Sequence, residues 1–397
     1  MDTETKMDTE KTIALEKKRI MQTYSRPDFV IEYGKGCHVF DKKGKRYIDM
    51  VGGLATCILG HGNIEFADFV KKQIVKITNP TNLYYSEPQV LLAEKLSSLS
   101  GLDKCFFSNS GTESIEAAIK LARKHTKKPN IISANNGFHG RTLGSLSATG
   151  KDKIKKPFEP LVPGFKQVEY DNPNAMEDKI TNQTAAIIVE PIQGEGGIII
   201  PEKDYLGQIR EICDRHGILM VLDEIQTGCA RTGKFFAFEH SKIKPDIVCL
   251  AKGLANGIPI GVTISNDEIA LSFEKGDHGS TFGGNPVACS AANFTVDFIM
   301  SKKLMENAAV QGRHLMDSLS KIGCDSIKEV RGKGLMVGIE MTQSPQQYPQ
   351  QYVKESADKG LLINLTAEKV LRCLPPLTIN KQIIDDSIKI LSRIMEK

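Results

Sequence analysis

No stretch of the 397-residue chain approaches the ~20 consecutive apolar residues that a membrane-spanning helix needs, and the acidic, polar N-terminus lacks the apolar core of a signal peptide. A cytoplasmic protein is therefore expected. No CxxC pair occurs among the nine cysteines (37, 57, 105, 213, 229, 249, 289, 324 and 373), and many of them lie in apolar runs, which reads as reduced thiols rather than a disulfide framework or a zinc site. A basic block is missing too: 52 Lys and Arg stand against 48 Asp and Glu, a formal charge of +4 that is scattered along the chain. This excludes the electrostatic footprint of a nucleic-acid binder and confines any phosphate binding to a local site. What remains is ordinary for a folded protein, 40% hydrophobic and 25% charged residues, on a chain long enough for one large domain and a smaller one. The tetrapeptide Met-Asp-Thr-Glu at residues 1–4 recurs at 7–10 and reads as a duplicated or alternative start.

From about Ala55 to Ala292 apolar runs alternate with amphipathic stretches, the pattern of βα units on a mostly parallel sheet. Residues 104–108 (KCFFS), 185–189 (AAIIV), 218–222 (ILMVL) and 246–250 (DIVCL) each read as a strand buried on both faces. Each ends in polar residues, and in open α/β sheets the ligand crevice lies outside the carboxyl ends of the strands. The expected organisation is an N-terminal segment 1–54 that joins a small domain, a large domain 55–292, and a C-terminal small α+β domain 293–397. Residues 38–47 (HVFDKKGKRY) look like a hairpin, and the Gln- and Pro-rich 343–351 (QSPQQYPQQ) like a surface loop.

Residues 108–116 (SNSGTESIE) follow a strand and open an amphipathic helix, so the backbone N–H groups of Gly111 and Thr112 would point outward at an anion. The same residues also satisfy a plain capping box, Ser110 with Glu113. Asp223 ends an apolar strand, where a carboxylate needs a cation. A protonated pyridine nitrogen would supply one and an arginine equally would. Lys252, in Leu250-Ala251-Lys252-Gly253-Leu254, ends the next run. A partly desolvated amine there can attack an aldehyde, although most lysines are surface charges. Phosphate cup, strand-end acid and strand-end lysine together are the anchors that pyridoxal 5'-phosphate requires. Phe138-His139-Gly140-Arg141 adds an aromatic face and a guanidinium for a carboxylate, residues 190–197 (EPIQGEGG) add two acids, and residues 280–286 (STFGGNP) form a small hydroxyl-bearing loop.

With NSGTE, FHGRT, VEPIQGEGG, LDEIQTG, LAKG, STFGGNP and LRCLPPL in this order, the chain resembles the class III (ornithine-type) aminotransferases from about Tyr24 to Leu377. The resemblance implies the α/β architecture of fold type I PLP-dependent transferases, a mostly parallel central sheet with helices on both faces plus a smaller α+β domain. It implies Lys252 as the Schiff-base residue, Asp223 as partner of the pyridine nitrogen, and Gln226 on the ring hydroxyl. Phe138 and Ile225 would sandwich the ring, and Gly111 and Thr112 would bind the phosphate together with Thr281 of a partner subunit, which makes a homodimer.

Within the family the likeness is greatest to members acting on N2-acetylornithine, through chain length, Asn82-Leu83-Tyr84-Tyr85 and Gly53-Leu54-Ala55. Ornithine-specific relatives carry a tyrosine where Leu54 stands. Arg141 would then hold the donor's α-carboxylate with Ser280 nearby, Arg372 would take that of glutamate, and Glu195 would pair with Arg372 while the acylated donor is bound. Tyr24 is a further candidate on the substrate side. The implied reaction passes an amino group between the donor and 2-oxoglutarate in a step of arginine biosynthesis. Rival readings are the same chemistry on succinylornithine, ornithine, 4-aminobutyrate or a lysine-pathway amine, an aminomutase, and a non-enzymatic phosphate-binding α/β protein. Three departures from the family pattern, His61-Gly62-Asn63, Ala230 and Ala255-Asn256, fall on loops.

Overall fold

Apolar β-branched runs too short for helices build the centre of the molecule, and the computed structural model describes residues 7–342 and 349–395. Seven strands form one sheet: β1 (Lys104–Ser108), β2 (Asn130–Ala134), β3 (Phe165–Val168), β4 (Thr184–Val189), β5 (Leu219–Asp223), β6 (Ile247–Leu250) and β7 (Gly261–Ser265). Their spatial order is β1-β7-β6-β5-β4-β2-β3. β7 runs antiparallel to both its neighbours, and the remaining neighbours pair in parallel. Successive side chains point to opposite faces. Ala186, Ile188 and Val221 therefore join one apolar layer and Ile187, Val189 and Leu222 the other. The helix Gly111–Thr126, α1, covers the first layer with Ile115, Ala118, Ile119 and Ala122, spaced three and four apart. Helices Tyr205–His216 and Pro286–Ser301 cover the second.

This is the α/β arrangement expected of fold type I, with two local corrections. β1 is an edge strand, so Lys104 is exposed and pairs with Asp267 at 2.6 Å instead of being buried on both faces. Residues 349–351 are not loop: Pro349 opens the helix Pro349–Asp358, where a missing N–H costs nothing, while 343–348 lie outside the described residues. The first Met-Asp-Thr-Glu copy also lies outside them, and in the second Asp8 caps the helix Thr9–Arg19.

The hairpin at 38–47 forms from His38–Asp41 and Arg46–Asp49, its turn tied by Asp41 Oδ1, which accepts from the N–H groups of Lys43 and Lys45. It belongs to a four-stranded sheet closed by Leu361–Leu362, so the two ends of the chain meet there. A second small sheet contains Ile327–Lys333, Met336–Met341, Asn364–Thr366 and Val370–Cys373. Arg231, fully buried, donates through Nη1 to the carbonyls of Leu335 (3.0 Å) and Pro375 (2.6 Å) and ties this sheet to the loop after β5. Among the described residues no helix is long and apolar enough to cross a membrane.

Helix Leu304–Ser320 lies so close on the turn between two strands of the second small sheet that a Cβ on Gly312 would sit 1.9 Å from the carbonyl oxygen of Gly334. Gly312→Ala is expected to destabilise the protein by roughly 2 kcal/mol through overpacking, read as a lower urea midpoint at unchanged slope.

Candidate active site

The carboxyl ends of β1, β4, β5 and β6 open into one cavity of about 420 Å³, lined among others by Ser110, Gly111, Thr112, Phe138, Arg141, Glu190, Glu195, Asp223, Ile225, Gln226 and Lys252. At its floor α1 begins. Ser110 caps the helix, its Oγ accepting from Glu113 N at 3.3 Å, while Glu113 reaches back to the N–H of Asn109 rather than to that of Ser110. The first N–H groups of the helix, at Gly111 and Thr112, have no carbonyl one turn earlier to bond and are donors for an anion. Gly111 leaves no room for a side chain, since a Cβ would lie 2.8 Å from Ile225 Cδ1.

Asp223, 3% exposed, ends β5 beneath the cavity. Its Oδ1 accepts from Ile225 N at 3.1 Å, and its Oδ2 lies 2.7 Å from Nδ1 of His139. The side chain beside it is thus a histidine and not an arginine. Burial opposes charge on His139, but Asp223 and Glu190 outweigh it and raise the imidazole above its ordinary range. Nε2 of the same ring is buried without a partner among the described residues. Glu190 accepts from the N–H groups of Phe138 (3.0 Å) and Gly194 (2.9 Å), and burial pushes its carboxyl up to about 7.

Lys252 follows β6 at the start of a short 3-10 turn with φ of +38°, a conformation an L residue adopts only under constraint. Burial lowers its amine below the usual lysine range, against the pull of Glu195 and with the help of Arg372. Arg372, 1% exposed, stands behind the cavity wall. Its Nη1 donates to Glu195 Oε1 at 2.5 Å and to Gln226 Oε1 at 3.2 Å, and its Nε to Asn364 Oδ1 at 3.3 Å. Although burial would raise the Glu195 carboxyl, Arg372, Lys252 and Lys151 hold it down at about 2. Arg141 lies over the Phe138 ring, 5.5 Å from its centroid.

Of the residues singled out in the sequence, Gly111, Thr112, Phe138, Arg141, Glu195, Asp223, Ile225, Gln226 and Lys252 line the cavity, and Arg372 reaches it through Glu195. Ser280 adjoins it through Asn109, whose Nδ2 donates to Ser280 Oγ at 3.0 Å. Thr281 is exposed on the neighbouring loop and does not line this cavity, and Tyr24, 73% exposed, lies outside it as well. His139 as the partner of Asp223, and Lys151 beside Glu195, were not among the candidates.

The donor set fits pyridoxal phosphate: a helix start for a dianion, a buried carboxylate for a ring nitrogen, an aromatic and an aliphatic side chain for two ring faces, and a desolvated lysine for an aldehyde. Fold and site together define a fold type I transferase. The chain belongs to the class-III aminotransferases, whose family model matches residues 20–395. This family depends on pyridoxal phosphate. The chain is 45% identical over 391 residues to an acetylornithine aminotransferase of Methanothermobacter thermautotrophicus, covering 98% of this chain and 99% of that one. Among solved structures it is similar to the ornithine aminotransferase of Toxoplasma gondii, with TM-score 0.95, 30% identity and coverage of 98% and 94%; that protein holds pyridoxal phosphate at partial occupancy in its active site. It is also similar to the acetylornithine aminotransferase of Elizabethkingia anophelis, with TM-score 0.88, 32% identity and coverage of 98% and 99%.

Glu224, next to Asp223 but turned away from the cavity, is fully buried, accepts from Phe238 N at 2.9 Å and from the Thr227 hydroxyl, and is pushed by burial up to about 7. A carboxyl whose folded value exceeds its unfolded one is more protonated in the native state, so stability falls as pH rises from about 4.5 to about 7. Glu224→Gln is expected to reduce the slope of that part of the profile, leaving the share due to Glu190, measured as melting temperature between pH 4.5 and 8.

Proposed function

We propose that the chain is an acetylornithine aminotransferase that passes the δ-amino group of N2-acetylornithine to 2-oxoglutarate, and the reverse, in a ping-pong cycle. The observation that carries this reading is the Glu195–Arg372 pair, 2.5 Å apart in a cavity whose other guanidinium is Arg141. A site that treats one substrate with a single carboxylate and another with two needs a cation it can cover and uncover. The name borne by the archaeal relative, over almost the full length of both chains, supports the donor.

Gly111 and Thr112 would hold the cofactor phosphate, Asp223 its ring nitrogen, Gln226 its ring hydroxyl, Phe138 and Ile225 its faces, and Lys252 its aldehyde carbon. Bound pyridoxal phosphate supplies an electron-withdrawing ring that stabilises negative charge developing on the carbon that carries the transferred amine. The His139 imidazole holds the Asp223 carboxyl in place, and that carboxyl would hold a proton on the ring. Arg141, with Ser280 beside it, orients the donor's α-carboxylate. Lys252 Nζ, lowered by burial, is free base in a larger fraction than an exposed lysine and takes the proton from the donor's amine-bearing carbon. Glu195 stays on Arg372 during this half and leaves it when glutamate or 2-oxoglutarate brings a second carboxylate.

Two features support a homodimer. Thr281 faces solvent in one subunit, and the segment beside it, tied to the 280–284 loop through Asn79, Asn82 and Gln89, exposes Leu83, Tyr84 and Tyr85 at 69% or more, with Phe282 of the loop itself 62% exposed. An apolar patch of this kind calls for cover by a second copy. Its Thr281 would complete the phosphate cup. Unpaired cysteines and the lack of a spanning helix among the described residues support a cytoplasmic location. A division near residues 54 and 292 is proposed on the grouping of the three sheets.

Single half-reactions followed by absorbance test the reading, the holoenzyme being mixed in turn with N2-acetylornithine, succinylornithine, ornithine, 4-aminobutyrate, a lysine-pathway amine and glutamate. Rapid bleaching by N2-acetylornithine and glutamate, with ornithine at least about 10-fold slower, is expected. Bleaching by glutamate and a different amine would replace the donor, and no bleaching by any would reject the reading.

A further inference from the structure

Arg372 meets a ligand carboxylate only after Glu195 has let go, and that leaves a partly buried carboxylate, 27% exposed at its side chain, without its cation. A partly buried charge stripped of its partner is stabilised by another cation within reach. Lys252 is occupied by the chemistry. Lys151 is the remaining amine beside Glu195: its Nζ donates to the Glu195 backbone carbonyl at 2.5 Å. The same carbonyl accepts from Thr366 Oγ1 at 2.9 Å. The peptide of Glu195 is thereby pinned at two points, and its side chain can swing while its backbone stays.

Lys151 is itself held in place. The preceding Gly150 bonds Gly137 and Asn136 through its N–H and C=O at 2.9 and 2.8 Å, and packs so tightly that a Cβ would lie 2.1 Å from the carbonyl of Ala134. Two residues on, Lys153 pairs with Glu368 at 2.9 Å, on the turn that leads into the Arg372 strand. An ammonium has three donors, and the backbone carbonyl uses one. Burial lowers this amine from the usual lysine range; of the charged groups that act on it, Glu195 and Glu190 favour its charge and Arg372 and Arg141 oppose it.

Resting on the reading of Glu195 and Arg372 given above, we infer that Lys151 is a positioning residue, the alternate partner that takes the Glu195 carboxylate when Arg372 binds the second carboxylate of a dicarboxylic substrate. Its charge sets affinity for glutamate and 2-oxoglutarate and leaves affinity for the acylated donor nearly untouched.

The test uses holoenzyme and glutarate, an unreactive dicarboxylate, with binding measured by calorimetry, alongside KM for both substrates. Lys151→Met is expected to raise the glutarate Kd and the 2-oxoglutarate KM at least about 10-fold, while the donor KM changes less than about 2-fold. Lys151→Gln, which keeps a donor for the carbonyl but no charge, should behave like Met, and Lys151→Arg like wild type. In a Glu195→Gln background, where no carboxylate has to be received, Lys151→Met should have no effect on the glutarate Kd. Wild-type affinity in Lys151→Met or Lys151→Gln, an equal loss for donor and acceptor, or an undiminished effect in Glu195→Gln would each overturn the inference and leave the function reading standing. Failure of wild-type holoenzyme to bind glutarate would overturn the Arg372 reading, and this inference with it.

Discussion

The site is organised around one buried carboxylate. Asp223 ends a strand covered on both faces by apolar layers and is 3% exposed, and a polar group buried there needs its hydrogen bonds satisfied. His139 and the N–H of Ile225 meet that need. The bond between His139 and Asp223 docks the loop that carries Phe138, His139 and Arg141 on the end of β5. Docking brings Phe138 over the cavity and puts its N–H on Glu190, the acid at the end of the adjacent strand. Positions on three separate segments are thus set by the requirements of a single buried carboxyl.

A second charged pair sits at the other side of the cavity and has the opposite character. Glu195 is 27% exposed at its side chain, where Arg372 is 1% exposed, so one partner can move and the other cannot. The Arg372 strand is locked into a small sheet, whereas Glu195 stands on a glycine-flanked loop. In the proposed function, a guanidinium fixed by burial and covered by a carboxylate that swings aside would account for acceptance of two unlike substrates.

Much of this was legible in the residues themselves. β4, β5 and β6 were visible because strands buried on both faces are continuous apolar runs, and the anchors Asp223 and Lys252 follow from standing at their ends. β7 was harder to see: Gly261–Ser265 is short and half polar, and only its antiparallel insertion between β1 and β6 makes it a strand. The edge position of β1, which exposes Lys104, is likewise a property of the assembled sheet. His139 escaped notice as the partner of Asp223 because 84 residues separate them. Lys151 carries no motif at all, since its partner is a backbone carbonyl. Ala230 adopts φ of +69°, a left-handed turn that this chain holds at some cost.

The measurement that bears most directly on the account is the rate of the glutamate half-reaction in Asp223→Asn holoenzyme, compared with wild type by stopped-flow absorbance. If Asp223 is the charge that holds a proton on the cofactor ring, the rate falls at least about 100-fold with binding of glutamate little changed. A rate within about 3-fold of wild type would contradict that role and, with it, the view that the site is built around this carboxylate.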